Sequence, residues 1–379
     1  MSASIFSLAM SLSSLALLSA VLTCRAQDHG PALKNLAEEK FLMGCSVGYD
    51  ALFSDSEQAA MRRGLVAHHY NTITTENALK WGPTHPQPGV FTFERADRIV
   101  AFAEEHGMWM VGHTLVWHNQ TPNWVFEGAD REVLLDRMRE HIHTVVGRYK
   151  GRVHAWDVVN EAIENNGKIK DNTPWARIIG PDYIEHAFRF AHEADPEAEL
   201  YYNDYSMEIP AKRKATLELV QRLKDAGLRI DGIGMQGHYG LNANIKETEN
   251  SIIAFAEAGM KVMFTELDMT VLPAAWKYRG ADINDMHEYQ AGLDPYTKSL
   301  PDDIAQKQAD VYGALFRVMV NHADKIHRVT FWNVTDGDSW LNNRPVIGRT
   351  DYPLLFDRMG RPKPAFHAVV NALLPPRMN

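Results

Sequence analysis

Short apolar runs alternate with amphipathic segments along the chain from about residue 30 onward. Apolar, β-branched runs bounded by turn residues are typical of buried strands. The segments between them carry apolar residues three and four positions apart, which places these residues on one face of a helix. The pattern predicts eight strands, at approximately Phe41–Gly48, Tyr70–Thr75, Trp109–Val116, Val153–Asn160, Glu199–Asn203, Gly232–Gly237, Lys261–Glu266 and Arg328–Asn333.

Two helix patterns are especially regular. One apolar face is formed by Leu134, Met138, Ile142, Val145 and Tyr149, and a second by Ile304, Val311, Leu315 and Met319. Strand followed by helix through the whole chain implies parallel strands joined by right-handed crossovers. This order favours either a closed barrel or an open, doubly wound sheet.

The polar residues that follow the strands favour the barrel. A dinucleotide-binding sheet carries a glycine-rich turn after an early strand, and neither Gly44 nor Gly48 begins a G-x-G-x-x-G pattern. Strand after strand instead ends in a polar or aromatic cluster: TTENALKW, GHTLVWHNQ, VVNEA, YYNDYS, QGHY, TELDM and WNVTDGDSW. In a barrel, these clusters meet at the carboxyl-terminal rim, where active sites lie. The prediction is an α/β protein with a (β/α)8 TIM barrel.

The barrel is expected to form a single catalytic domain over residues 30–375, since no repeat, hinge or low-complexity tract indicates a second module. The longest connection, Thr270–Pro301, contains several glycines and prolines and is predicted to be a loop that lines the cleft. Pro364–Leu374 is predicted to be the closing helix.

Composition narrows the class of ligand. The 379 residues carry a formal net charge of −9 without a basic run, which argues against nucleic acid as a partner. Nine Trp and thirteen Tyr are compatible with sugar binding, because an aromatic ring packs on the C–H face of a pyranose, although such residues are more often core. A neutral polymer remains a suitable substrate.

The amino terminus resembles an export signal. Residues 1–26 contain Arg25 as their only charged side chain and an apolar segment, Leu15–Leu22, that is too short to span a bilayer. Cleavage after Ala26 and a lipoprotein box ending at a lipidated Cys24 are both open, and a disordered tail is the simpler alternative. The expected location is secreted, periplasmic or anchored at the outer surface, with no membrane span. Under either cleavage, Cys45 has no disulfide partner.

Two glutamates follow apolar strands more than a hundred residues apart: Glu161 in WDVVNEA and Glu266 in FTEL. Either one alone is more ordinarily a salt-bridge partner or a helix-start residue. Together at one barrel mouth, they match the pair that cleaves a glycosidic bond with retention, in which one carboxyl group donates a proton while the other, about 5–5.5 Å away, attacks the anomeric carbon.

The chain carries, in this order, the motifs TTENALKW, GHTLVWHNQTPNW, WDVVNEA, NDY, GIGMQGHY, FTELD, FWNVTDGDSWL and PLLFD. With these motifs it resembles family 10 glycoside hydrolases, the endo-β-1,4-xylanases, over about residues 35–373. The resemblance implies hydrolysis of internal β-1,4 bonds of xylan with retention, by a monomer that needs no metal or organic cofactor. The alternatives are a retaining hydrolase of another β-1,4-glycan and a non-catalytic carbohydrate-binding barrel, which would have lost a carboxylate.

By the same resemblance, Glu161 is the acid/base and Glu266 is the nucleophile. Asn160 is expected to hydrogen-bond the 2-hydroxyl of the sugar that is cleaved. His238 is expected to position Glu266, with Asp268 orienting the imidazole behind it.

The remaining binding residues are also implied by the resemblance. The sugar two positions from the cleavage point is expected to be clamped by Glu76, Asn77 and Lys80, and the cleavage subsite is expected to be lined by His113, Trp117 and Gln236. Two tryptophans, Trp332 and Trp340, are expected to leave no space for a hydroxymethyl group. Tyr205 is expected to contact the leaving-group side. On spacing alone, Glu76 and Lys80 are equally an i, i+4 ion pair, and isolated tryptophans are equally core.

Two features depart from the family pattern. Family members commonly carry glycine after the tryptophan that corresponds to Trp332, whereas this chain has Asn333. The segment 342–351, NNRPVIGRTD, is longer than in many relatives. Both lie beside the predicted cleft, so we expect them to affect subsite affinity and not catalysis.

Overall fold

The computed structural model describes residues 30–274 and 286–375. The predicted export signal, including Cys24 and Ala26, lies outside the described residues, as does the middle of the Thr270–Pro301 connection. Within the described ranges, no helix is long and apolar enough to cross a membrane.

Nine strands are present in the described residues, and eight of them close into a parallel barrel. They are β1 (Leu42–Val47), β2 (Thr72–Thr75), β3 (Trp109–Val116), β4 (Ala155–Asn160), β5 (Glu199–Asp204), β6 (Gly232–Met235), β7 (His238–Gly240), β8 (Lys261–Thr270) and β9 (Ile326–Phe331).

Barrel closure is visible in the strand pairing. Neighbouring strands pair in parallel from β1 to β6, β6 then pairs with β8, and β9 joins β8 to β1. The closing register places Leu42 beside Arg328. The predicted (β/α)8 barrel is confirmed. The carboxyl ends of its strands therefore meet at one rim, where ligand sites of this fold lie.

The helices alternate with the strands and cover the barrel. They are α1 (Leu33–Leu36), α2 (Tyr49–Phe53), α3 (Glu57–His69), α4 (Trp81–Thr84), α5 (Glu94–Glu105), α6 (Arg131–Arg148), α7 (Pro174–Ile178), α8 (Tyr183–Ala194), α9 (Pro210–Asp225), α10 (Ile245–Glu257), α11 (Asp302–Asn321) and α12 (Pro364–Leu373). Short 3₁₀ helices occupy Asn123–Val125, Ala291–Leu293 and Trp340–Asn342.

Helix α6 shows how the sequence fixes these elements. Asp130 caps its amino end by accepting a hydrogen bond from Val133 N at 3.0 Å. The predicted apolar face, from Leu134 to Tyr149, is fully buried against the barrel. Each large apolar side chain on such a face stabilises the packing by about 1.5–3 kcal/mol.

Most predicted strand boundaries that differ from the structure do so by one or two residues, and two of the differences shape the rim. The strand expected over Gly232–Gly237 ends at Met235, because Gly237 has a φ of 79° that extended backbone does not accommodate. The strand expected to end at Glu266 continues to Thr270, because the short β7 pairs with its upper half and aligns His238 with Asp268. This extra pairing brings a histidine and a carboxylate side by side at the rim.

The described part of the Thr270–Pro301 connection packs on the 342–351 segment: His287 N donates to Pro345 O at 2.8 Å, and Thr350 N donates to Asp294 Oδ1 at 3.0 Å. Cys45 lies buried in β1 as a free thiol, so packing and not a disulfide stabilises this part of the fold.

Candidate active site

A cleft of about 610 Å³ opens at the carboxyl ends of the barrel strands. Both predicted catalytic glutamates and every predicted binding residue except Tyr205 line it, together with five residues that were not predicted; the full lining is Glu76, Asn77, Lys80, His113, Trp117, Gln120, Asn160, Glu161, Gln236, His238, Glu266, Trp332, Asp338, Ser339, Trp340, Asn343 and Arg344. The described residues of the Thr270–Pro301 connection are not in this lining, so that part of the loop prediction is wrong. They support the 342–351 segment, which lines the cleft instead.

A larger groove, of about 890 Å³, lies elsewhere on the surface between α3 and α5. It is lined partly by small residues such as Gly64, Ala67 and Ala101, and it lies on the helical layer, away from the strand ends. The rim cleft therefore remains the candidate site, since it alone of the two gathers the predicted chemistry.

Glu161 follows β4 directly and has a φ of 59°, a left-handed conformation that is uncommon for glutamate. Its backbone N–H donates to Asn203 O at 2.9 Å, which holds the turn. Trp117 Nε1 donates to one carboxylate oxygen at 2.9 Å, and Gln236 Nε2 donates to the other at 3.0 Å. The carboxylate is 4% exposed and is aimed into the cleft by neutral donors.

Glu266 lies within β8 and is held differently. Asn203 Nδ2 donates to its Oε1 at 2.8 Å, and His238 Nε2 lies 3.4 Å from its Oε2. Burial raises the pKa of Glu266, but the hydrogen bond from His238 and the electrostatic interactions with His113 and His238 outweigh it, so the pKa is lowered overall. This carboxylate is built to remain ionised.

A short relay supports Glu266 from behind. His238 Nδ1 lies 3.0 Å from Asp268 Oδ1, and Trp340 Nε1 donates to Asp268 Oδ2 at 2.7 Å. Burial alone lowers the pKa of His238, but Asp268 and Glu266 raise it to about 10. The imidazole is therefore a cation at neutral pH, between two carboxylates.

Asn160 and Asn203 connect the two glutamates. Asn203 Nδ2, which bonds Glu266, also donates to Asn160 Oδ1 at 2.9 Å, and Asn160 Nδ2 donates to Glu161 Oε1 at 3.3 Å. Gln236 Nε2 bonds Asn160 at 3.3 Å as well as Glu161. This amide network fixes both carboxylates relative to each other. Asn203 was not predicted, although the NDY motif that contains it was the available signal.

The predicted glycone-side clamp is assembled around Lys80. Its Nζ donates to Asn77 Oδ1 at 2.9 Å and to Gln120 Oε1 at 2.8 Å, and it lies 5.0 Å from the centre of the Trp117 ring. Residues 76–80 are not helical, so the i, i+4 helical pair does not apply. Burial lowers the pKa of Lys80, while Glu76 and both rim glutamates raise it. Gln120 was not predicted, although its motif was.

The floor of the cleft contains His113 and Trp332. His113 Nδ1 lies 2.9 Å from Asp157 Oδ2, which orients the imidazole, and the His113 ring lies 5.3 Å from the Trp332 ring at an angle of 74°. Both residues are buried and line the cleft together with the two glutamates.

Tyr205 is the one predicted binding residue that the structure places outside the cleft lining. It is buried, and Lys212 Nζ lies 3.5 Å from its ring centre. Lys212 in turn forms a fully buried ion pair with Asp204 at 2.6 Å. Because this pair lies over the ring, Tyr205 is part of a packed cluster behind Glu161, and its contact with a sugar stays a prediction.

Within residues 30–274 and 286–375, no cluster of three or more histidine, cysteine or acidic side chains is arranged to hold a metal ion. The chemistry present is that of two carboxylates with amide, indole and imidazole donors. A closed parallel barrel that holds two buried glutamates at the rim of a sugar-sized cleft defines a glycoside hydrolase.

Comparison with known proteins gives the family. The profile of glycosyl hydrolase family 10 matches residues 32–372, and the chain belongs to this family. It is 46% identical over 347 residues to endo-1,4-beta-xylanase A of Xylanibacter ruminicola, an alignment that covers 90% of this chain and 93% of that protein.

Solved structures agree with the sequence relatives. An endoxylanase of the same family from a sugarcane soil metagenome superposes with a TM-score of 0.85 at 42% identity, covering 90% of this chain and 99% of that one. An intracellular xylanase from Thermoanaerobacterium saccharolyticum, solved as a mutant with xylotriose, gives a TM-score of 0.78 at 37% identity, with coverage of 90% and 99%.

Proposed function

We propose that this protein is a retaining endo-β-1,4-xylanase that cleaves internal bonds of xylan through a glycosyl-enzyme intermediate on Glu266. The observation that carries the proposal is the contrast between two glutamates in one cleft. A cationic His238 and Asn203 stabilise the ionised form of Glu266. Among the described side chains, Glu161 is hydrogen-bonded by the neutral donors Trp117, Gln236 and Asn160.

In the first step, Glu161 gives its proton to the glycosidic oxygen while a Glu266 oxygen bonds to the anomeric carbon and the leaving sugar departs. Positive charge develops on the ring at this point, and the ionised Glu266 stabilises it. Asn160 meets the 2-hydroxyl of the same sugar, where a hydrogen bond strengthens as the charge grows.

In the second step, Glu161, now ionised, takes a proton from water, whose oxygen attacks the anomeric carbon and releases Glu266. Two displacements on one carbon return the original β configuration. His238 keeps Glu266 a good leaving group, because its positive charge stabilises the carboxylate that is released.

The choice of xylan rests on the relatives and on the cleft wall. Relatives with 40–46% identity are named as β-1,4-xylanases, and most of those names specify endo action. Trp340 is fixed in the cleft wall through Asp268, and the family resemblance assigns to it the space that a hydroxymethyl group of a hexose would need. A hexose polymer is therefore disfavoured.

Hydrolysis of linear xylo-oligosaccharides, followed by proton NMR of the first-formed anomer, tests the proposal. We expect the β-anomer to appear before mutarotation and internal bonds to be cut first. Glu266→Ala is expected to abolish turnover, and Glu161→Ala is expected to recover activity with azide when the leaving group is activated. The α-anomer as first product would refute double displacement.

We also propose that the protein acts outside the cytoplasm. The support is the apolar, nearly uncharged segment at residues 1–26, which resembles an export signal. Mass spectrometry of the amino terminus of the mature protein separates the two signals, since cleavage after Ala26 leaves Gln27 first, whereas a lipoprotein begins with a diacylated Cys24.

A further inference from the structure

Asn333 lies directly after Trp332 in a backbone conformation that favours glycine. Its φ is 82°, and its side chain is buried with 1% exposed. Asparagine tolerates such a conformation better than most residues, but glycine adopts it at lower cost. A buried side chain at this position therefore needs a compensating interaction.

The contacts of Asn333 link β1 to the segment that carries Trp340. Its backbone N–H donates to Ser46 Oγ at 2.8 Å, at the end of β1. Its Oδ1 accepts a hydrogen bond from the backbone N–H of Trp340 at 3.1 Å, which ties down the start of the 3₁₀ helix that carries the tryptophan. One carboxamide oxygen thus fixes the backbone of a wall residue.

Glu76 and Asn333 are both tied to the end of β1: Glu76 N donates to Val47 O at 3.0 Å, and Asn333 N donates to the adjacent Ser46. Asn333 Nδ2 is buried and makes no hydrogen bond of ordinary geometry with the residues that the structure describes. Burial raises the pKa of Glu76, and Lys80, Asn333 and Asn77 each act to lower it. The carboxamide therefore lies beside the Glu76 carboxyl group with a buried donor that is still unsatisfied.

We propose that Asn333 is a positioning residue that joins the Trp340 wall to Glu76 and so sets the affinity of the second sugar on the glycone side. Its Oδ1 holds the Trp340 backbone, and its Nδ2 donates to Glu76 and orients the carboxylate toward a sugar hydroxyl. This inference rests on the proposed function, since it assigns Glu76 to sugar binding.

Two substitutions separate the side chain from the backbone. Asn333→Gly keeps the left-handed turn without strain but removes both carboxamide contacts. Asn333→Asp is nearly isosteric and keeps the oxygen that accepts from Trp340, but it places a second carboxylate beside Glu76. Asn71→Asp is the matched control, because Asn71 also accepts a backbone N–H, from Met43 at 2.9 Å, at the opposite end of the barrel.

The experiment compares a dinitrophenyl β-xyloside, which occupies only the first glycone subsite, with the corresponding β-xylobioside, which also reaches Glu76. We expect Asn333→Gly to lower kcat/KM on the xylobioside by about tenfold, mostly through KM, the size of one hydrogen bond to a charged group. Asn333→Asp should have at least as large an effect. With Asn333→Asp, which keeps the Trp340 contact, kcat/KM on the xyloside should change by less than about twofold, and with Asn333→Gly it should fall less than kcat/KM on the xylobioside. Asn71→Asp should leave the ratio of kcat/KM on the two substrates unchanged.

The inference is overturned if both Asn333 variants lower kcat/KM equally on the xyloside and the xylobioside, or if neither variant changes kcat/KM on either substrate. A purely structural role predicts the first of these outcomes. Failure of the proposed function is distinct: wild-type protein would then hydrolyse neither aryl glycoside, and the assignment of Glu76 would be lost with it.

Discussion

His238 is the residue whose replacement most sharply tests the electrostatics of the site. Its Nε2 lies 3.4 Å from Glu266 and its Nδ1 lies 3.0 Å from Asp268, and the two carboxylates raise its pKa from 6.5 to about 10. His238→Gln keeps a donor of similar size but removes the positive charge. We expect kcat/KM to fall by about 10–100-fold, since a hydrogen bond to a charged group is worth about 1.5–3 kcal/mol.

The pH dependence of activity should change in a defined direction. His238 is the strongest of the groups that lower the pKa of Glu266, so the variant should lose part of that lowering. The acidic limb of the kcat/KM profile on an aryl xylobioside should therefore move to higher pH. His154→Gln is the control, because His154 lies at the opposite end of the barrel, where it accepts a hydrogen bond from Met110 N. Its acidic limb should coincide with that of the wild type.

Stability supplies an independent measure of the same charge. A histidine whose pKa is raised on folding stabilises the protein fully below its unfolded pKa of 6.5, and this contribution is lost as the pH rises through about 10. A rise of the pKa from 6.5 to about 10, at about 1.4 kcal/mol for each pKa unit, sets an upper limit of about 5 kcal/mol on this contribution. The actual contribution is below this limit because the ring is 15% exposed, and solvent screens its charge.

The free energy of unfolding of His238→Gln should therefore differ from that of the wild type most at pH 6 and progressively less toward pH 10. Denaturant titrations across this range measure it. A constant difference at all pH values, together with an unchanged acidic limb of activity, would refute a cationic His238.

Three further predictions address the fold and the specificity of the cleft. Lys212→Met should destabilise the protein by about 3–5 kcal/mol in denaturant titrations, because it leaves the buried carboxylate of Asp204 without a cationic partner. The control is Lys214→Met, which removes an exposed ion pair with a 3.7 Å separation and should cost less than about 1 kcal/mol. Similar losses of unfolding free energy in the two variants would contradict the buried-pair argument. Burial raises the pKa of the Cys45 thiol, so a thiol reagent should label it only after unfolding, and rapid labelling of the native protein would contradict its burial. Initial rates on xylan should exceed those on carboxymethyl cellulose by about 100-fold if Trp340 excludes a hydroxymethyl group, whereas equal rates would remove that role.

The sequence was most informative about the barrel and the two catalytic glutamates, because polar clusters follow the apolar strands in it. Alternation of strands and helices, with polar clusters after the strands, predicted the barrel, because parallel strands bring their carboxyl ends to one rim. Glu161 and Glu266 were predicted to converge on this basis, and the structure brings both into one cleft. The helix face from Leu134 to Tyr149 was predicted equally well, since burial on one helix face leaves a clear period.

Contacts between distant segments were beyond sequence reasoning. Asn203 joins both glutamates through a side chain whose direction depends on the barrel twist, which a local pattern does not encode. Strand β7 arises only because β8 offers it a pairing edge. Tyr205 lies behind the cleft lining because Lys212, from the following helix, covers its ring.

The central claim is that Glu266 attacks the sugar while Glu161 supplies the proton. In an activated 2-deoxy-2-fluoro-xylobioside, the fluorine slows both displacements, while the activated leaving group keeps the first one fast enough for the glycosyl-enzyme intermediate to accumulate. Peptide mapping by mass spectrometry then locates the attached sugar. The account predicts one xylobiosyl adduct, on Glu266, that is absent from Glu266→Gln. An adduct on Glu161, or turnover of the substrate by Glu266→Gln at the wild-type rate, would contradict it.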